Sequence, residues 1–308
     1  MVLEQFGHRV CKALQEILGA DYDVEMKEVT KNNGVLLHGI VINKAGSNVS
    51  PAIYIDELYD EYGEGRSFGD IVYDLLRVYK HHAREIDMDM DFFTRFEKAR
   101  SRVLYKLIHR ESNAELLKEI PYIKWNDLAL VFYYSLEDER FGKASILIKN
   151  AHLAMWGIDK AVLYEHAGTN MLRLKPEELL PIKELLREFI DRSESCTPGK
   201  ILLSDRGRAA METDSMIYVL SSRDRLFGAA TILYTESLKL LAGRLDKNLI
   251  ILPSSVHEVL LVPDDGIREK DFFRNMVREV NDSQVEPEER LSYNVYYYDR
   301  FSGEISIL

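Results

Sequence analysis

An internal repeat constrains this chain more than any other feature. Residues 128–157 (LALVFYYSLEDERFGKASILIKNAHLAMWG) align without a gap to residues 214–243 (DSMIYVLSSRDRLFGAATILYTESLKLLAG) at a constant offset of 86. Eight of the thirty aligned positions are identical: Ser135/Ser221, Asp138/Asp224, Phe141/Phe227, Gly142/Gly228, Ala144/Ala230, Ile146/Ile232, Leu147/Leu233 and Gly157/Gly243. After one inserted residue both copies run on, through Asp159-Lys160 and Asp246-Lys247, into apolar stretches. Self-similarity at a fixed offset is the signature of duplicated supersecondary units. Each copy reads as a β-α-β-β lobe. An apolar strand leads through a polar turn to a Phe-Gly helix entry, and the helix is closed by Gly157 or Gly243 as a C-cap. A hairpin follows, with its second strand at Asn170–Leu174 in the first copy and Glu258–Val262 in the second. Glycine after phenylalanine suits an entry where a side chain would crowd the neighbouring strand, or where a left-handed φ is needed.

Ahead of the repeat, the spacing predicts an amphipathic helix over 2–18, with Leu3, Phe6, Val10, Leu14 and Ile17 on one stripe. Two alternating runs, 22–29 and 35–42, flank Asn33-Gly34, the strongest short-range hairpin signal. A short strand at 51–55 and helical spacing over 56–62 and 68–84 complete an α-β-β-β-α-α unit. Between this unit and the repeat, 102–109 suits a strand or a helix, with Val, Leu, Tyr and Ile favouring the strand, 113–120 reads as a helix stopped by Pro121, and 128–136 as a central strand. Residues 175–191 carry helical spacing at Leu179, Ile182, Leu185, Leu186 and Phe189. The polar, turn-rich stretch 191–200 (DRSESCTPGK) reads as a linker. The expected fold class is therefore α+β: an N-terminal domain over 1–90, a first lobe over 91–190, the linker, and a second lobe over 201–308.

Charge and cysteine usage narrow the setting. Forty basic against fifty-one acidic residues leave a net charge of −11, so nucleic acid and anionic membranes are not the expected partners. The arginines around 206–225 and the 17 tyrosines form no recognised nucleic-acid module, and Tyr296–Tyr298 suits an interface strand equally well. The first residues lack a basic n-region followed by an apolar core, so no signal peptide is expected. Cys11 and Cys196 are the only cysteines. Isolated and far apart, they form neither a disulfide framework nor a zinc tetrad, and a cytoplasmic location is the expectation.

The candidate sites are few. Leu252-Pro253-Ser254-Ser255-Val256-His257-Glu258 gathers two hydroxyls, an imidazole and a carboxylate in one turn. Ser255, His257 and Glu258 are candidate catalytic residues, because imidazole titrates near neutral pH and a carboxylate can hold its tautomer. Against this, Ser255 lies two residues from His257 without the strand-turn-helix elbow that exposes a nucleophile. A hairpin turn whose polar side chains satisfy one another is the competing reading. Ser254, Arg223 and Arg225 are candidate binding residues, and His166 joins them because it falls near the same place in the first copy. Asp87, Asp89 and Asp91 alternate and could line one face toward a cation, but no glycine and glutamate stand where a calcium loop requires them, and a helix-capping acidic loop explains them as well. Gly63–Gly69 and Pro198-Gly199-Lys200 have the wrong spacing for nucleotide loops. No cofactor is implied.

Three stretches carry a resemblance: Asn33–Ile42 with Ala52–Tyr62, Met216–Leu220 through Phe227-Gly228-Ala229, and above all Ile251–Val262 followed by Met276–Asn281. On these the chain resembles an uncharacterised bacterial family common in gut clostridia, of the domain of unknown function 5688 (DUF5688) type. Its C-terminal half is similar to a second uncharacterised family, from bacilli. The resemblance implies a bacterial cytoplasmic protein and no particular activity. The expected function is non-catalytic binding or scaffolding, with a protein or small ligand held at the lobe junction. A metal-independent hydrolase using His257, Glu258 and Ser255 is the alternative.

Overall fold

The computed structural model describes residues 2–45, 52–82, 94–138, 142–185, 217–267 and 269–308. The chain is a mixed α+β protein that divides into two compact units, Met1–Phe93 with Leu136–Ala144, and Thr94–Ser135 with Ser145–Leu308.

In the first unit, helix α1 (Leu3–Leu18) is followed by strands β1 (Tyr22–Thr30), β2 (Leu36–Lys44) and β3 (Ala52–Tyr54), then helices α2 (Asp56–Gly63) and α3 (Phe68–His82). The strands form an antiparallel sheet in the order β1-β2-β3. The β1–β2 hairpin closes where Asn-Gly predicts it. Asn33 and Gly34 both take positive φ, 60° and 72°, the conformation that lets a tight connection follow the twist of the strands. Phe6, Val10 and Leu14 of α1 meet Ile40 and Ile42 of β2 and Ile71 and Leu75 of α3 in one core. Steps of three and four on the helices and two on the strand aim these residues inward. Cys11 is buried beside them.

Two further sheets are built mostly from residues of the second unit. Strands β4 (Val103–His109), β5 (Tyr122–Trp125) and β6 (Leu128–Asp138) pair in the order β4-β6-β5, and β7 (Gly142–Leu147) also pairs with β6. Helices α4 (Asn150–Trp156) and α5 (Lys160–Leu174) follow. The larger sheet is built from β8 (Glu177–Pro181), β9 (Tyr218–Ser222), β10 (Leu249–Ser255), β11 (Glu258–Pro263), β12 (Tyr296–Tyr298) and β13 (Ile305–Ile307). Its order is β13-β12-β10-β11-β9-β8, antiparallel throughout. Between β9 and β10 lie a seven-residue 3-10 helix, Gly228–Tyr234, and α6 (Glu236–Leu245); α7 (Lys270–Ser283) follows β11. Alternation sorts the strands' side chains onto two faces. Leu220, Ile251, Val259 and Leu261 join Leu241 of α6 and Leu107 and Phe132 of the smaller sheet in one core. Val219, Ile250, Leu260 and Val262 pack on Phe273, Val277 and Val280 of α7.

The two aligned stretches do not take the same secondary structure. The second follows the expected order of strand, helix and hairpin. The first runs strand, strand, helix, helix: β6, β7, α4, α5. The shared Phe, Gly, Ile and Leu do not decide between these outcomes; the residues between them do. In Gly142-Lys143-Ala144-Ser145-Ile146, polar side chains alternate with apolar ones, which suits a strand with one exposed face. In Gly228-Ala229-Ala230-Thr231-Ile232 the alternation is lost, and all five residues are buried as a 3-10 helix. The second divergence follows the aspartates. Asp159 Oδ1 accepts from the Ala161 and Val162 backbone N–H groups and so caps α5. Asp246 takes a left-handed φ of 55° and ends α6. The residues called a strand at Asn170–Leu174 are therefore the last turns of α5, whose Leu163, Ala167 and Met171 face the core. The helix expected over 175–191 also fails at its start. Glu177–Pro181 is an edge strand paired with β9, a place where proline is tolerated. Helix begins at Ile182 and runs to Leu185, where the described segment ends. Phe141 and the expected linker 191–200 lie outside the described residues.

Candidate functional site

At one end of the six-stranded sheet, the register brings polar residues from four strands into a row. Glu178 of β8 pairs with Ser221 of β9, Ser221 with Glu258 of β11, and Glu258 with Ser255 of β10. The sheet therefore assembles what the sequence separates by up to eighty residues. Two turns frame the row: 223–227, leaving β9, and Val256-His257, joining β10 to β11.

The hairpin turn is closed by its own polar groups. The register shifts between Pro253 and Ser255, as expected where a proline cannot donate to the ladder and a bulge forms. The Ser254 hydroxyl donates to Glu258 Oε1 at 3.3 Å. The Ser255 Oγ accepts from the backbone N–H of His257 at 3.0 Å, and the Ser221 hydroxyl donates to the His257 carbonyl at 2.8 Å. Glu258 is buried. Burial raises the pKa of its carboxyl, opposed by the Ser254 hydrogen bond and by Arg225 and His257, with Glu289 adding a smaller upward push.

His257 is held by backbone and by a ring. Its Nδ1 accepts from the backbone N–H of Phe227 at 3.1 Å, and its Nε2 lies 3.6 Å from Glu289 Oε1. Its imidazole stacks on the Phe227 ring, centroids 5.6 Å apart and planes 12° from parallel. The same phenylalanine meets Tyr133 edge-on and carries the Lys106 ammonium 4.1 Å from its centroid, a cation–π contact. Neither Ser254 nor Ser255 hydrogen-bonds to the imidazole; their partners are Glu258 and the His257 backbone.

The 223–227 turn is tied down more heavily than its sequence suggests. Lys175, only 4% exposed, places its ammonium 2.6 Å from Asp224 Oδ2 and 3.0 Å from the Leu226 carbonyl. The Ser222 hydroxyl donates to Asp224 Oδ1 at 2.9 Å. Arg225 donates to Glu178 Oε2 at 2.9 Å. Arg225 and Phe227 both adopt left-handed φ, 54° and 57°, which side chains other than glycine tolerate only when the surroundings impose it. Gly228 explains why the turn must be so tight. A Cβ there would lie 2.2 Å from Ser221 Oγ, 2.3 Å from Ser222 N and 2.6 Å from His257 O.

The expected site residues fall into three groups. Ser254, Ser255, His257, Glu258 and Arg225 converge here, and Arg223 stands exposed on the adjoining turn. His166 belongs elsewhere, on α5, where its ring meets the edge of Phe96. Asp87, Asp89 and Asp91 lie outside the described residues. Lys106, Tyr133, Lys175, Glu178 and Asp224 were not anticipated. Only Asp224 carried a signal, as one of the identities of the repeat. Among the described residues no cluster of histidine, cysteine and carboxylate side chains is arranged to hold a metal ion, and no helix is long and apolar enough to cross a membrane.

Residues 3–300 match the model of a family of unknown function, DUF5688, and the chain belongs to that family. No curated protein matches the chain, and no solved structure matches it.

Proposed function

We propose that this DUF5688 member is a non-catalytic binding protein of the bacterial cytoplasm. It holds a protein or small-ligand partner at the sheet end where β8, which follows the first aligned copy, meets β9 and β11 of the second. The observation that carries the reading is the commitment of every hydroxyl of the 254–258 turn to the turn itself. Ser255 serves the His257 backbone and Ser254 serves Glu258. The imidazole Nδ1 is occupied by a backbone N–H. A nucleophile is activated by a base within hydrogen-bond reach; here the hydroxyls and the imidazole Nδ1 are bonded to the turns instead of to one another. Such preformed surfaces bind without the entropic cost of ordering. The exposed Arg223 supplies a planar, bidentate donor at the rim for a carboxylate or carbonyl of the partner. The net charge of −11 keeps nucleic acid out of this reading.

The test pairs capture with turnover. Immobilised full-length protein should recover the same partner from a lysate repeatedly, and Arg223→Glu should lose it. A panel of activated esters and amides should show no turnover above the uncatalysed rate. Turnover that disappears in both Ser255→Ala and His257→Ala would establish the hydrolase reading instead.

A further inference from the structure

On the second unit, remote in sequence from the 223–227 and 254–258 turns, the structure contains an open recess of about 650 Å³. That volume lies within the range that holds small organic ligands. Its wall and its rim differ in character. Leu117 and Ile120 are buried members of a small apolar cluster against β4 and β6, and Leu153 of α4 adds to the lining from the other side. Around them stand Lys124 of β5, Lys160 at the start of α5, and Asn150. The Asn150 amide donates to the Lys118 carbonyl, which fixes it in place.

The electrostatics of the rim run against those of the whole chain. Among the described residues, neither Lys124 nor Lys160 has a carboxylate within ion-pair distance, in a protein with eleven more acidic than basic side chains. Lys149 pairs with Glu119 at 3.1 Å. Asp159, which also lines the recess, has its Oδ1 committed to the two backbone N–H groups that open α5. The lining thus carries two ammonium groups against the single carboxylate of Asp159, and a cationic excess beside an apolar wall favours a ligand with an anionic head and an apolar body.

We propose that this recess binds a small amphipathic carboxylate, its hydrocarbon body against Leu117, Ile120 and Leu153 and its carboxylate between Lys124 and Lys160. Isothermal titration calorimetry reads binding directly. Octanoate is titrated into the full-length protein, with octan-1-ol as the body without the charge and acetate as the charge without the body. The expected result is a saturable heat of binding with octanoate, and affinities at least about tenfold weaker for the other two, a difference of about 1.4 kcal/mol. Lys124→Gln/Lys160→Gln, both exposed positions, should keep the far-ultraviolet circular dichroism of the parent and weaken octanoate by a similar factor. An absent or non-saturating octanoate response overturns the proposal. So does octan-1-ol binding as well as octanoate, or a double variant that binds octanoate unchanged.

Discussion

The backbone N–H of Phe227 donates to Nδ1 of His257 at 3.1 Å while the two rings lie stacked with their planes 12° apart. One residue thus fixes both the tautomer and the orientation of the other. The neutral imidazole must carry its proton on Nε2, toward Glu289. Long-range 1H–15N correlation spectra, recorded where the ring is neutral, should show an unprotonated Nδ1 and a protonated Nε2. His257→Phe keeps a ring for the stack but removes the acceptor that helps hold Phe227 in its left-handed conformation. Urea unfolding should show a loss of about 1–2 kcal/mol. A dominant Nδ1–H signal would contradict the geometry.

Gly228 tests how closely the 3-10 helix approaches the sheet. Its missing Cβ would meet two backbone atoms, Ser222 N and His257 O, inside 3.0 Å. Neither can retreat without disturbing β9 or the β10–β11 turn. Gly228→Ala should destabilise by about 3 kcal/mol or more, read as a fall in the urea midpoint. A near-neutral substitution would mean that the 3-10 helix stands farther from the sheet.

Lys175 and Asp224 form the least exposed ion pair among those described, 5% and 22% by side chain. Removing one partner leaves the other's charge uncompensated. Lys175→Met should cost about 3 kcal/mol. Asp224→Asn in the Lys175→Met background should cost less than it does alone, because the two act as one unit. Equal costs in both backgrounds would show that the pair is not coupled.

Cys11 is shielded in the first unit. Burial is the largest cause that pushes its thiol from 9.0 up to about 11, with the Glu25 carboxylate adding to it. The folded state therefore keeps a proton that the unfolded chain gives up sooner. The associated stability is fully present below pH 9 and is lost as the pH rises through about 11. In a Cys196→Ser background, iodoacetamide at pH 8 should modify native Cys11 about a hundredfold more slowly than the unfolded chain, from thiolate fraction alone. Rapid alkylation of the native protein would contradict this placement.

What was legible in the sequence is what local chemistry decides. Asn33-Gly34 specifies its hairpin through two positive-φ positions, and α1 its buried stripe through spacing. Ser254, Ser255, His257 and Glu258 could be read as a group because they are contiguous. The repeat misled for a definite reason. Six of its eight identical positions are apolar or glycine, equally at home in strand and helix, while Lys143 and Ser145 against Ala229 and Thr231 carried the difference. Leu179, Ile182 and Leu185 have helical spacing, yet pairing with β9 imposes a strand on Glu177–Pro181, a tertiary override of local preference. Lys175 and Glu178 reach the 223–227 turn only through that pairing, so no local pattern could announce them.

The pairing of β8 with β9 has a topological consequence. Pro181 and Tyr218 are direct cross-strand neighbours, so the chain leaves the sheet and re-enters it at adjacent points. The ladder between β8 and β9, and not the course of the chain, is therefore what fastens the edge of the sheet beside the 223–227 turn.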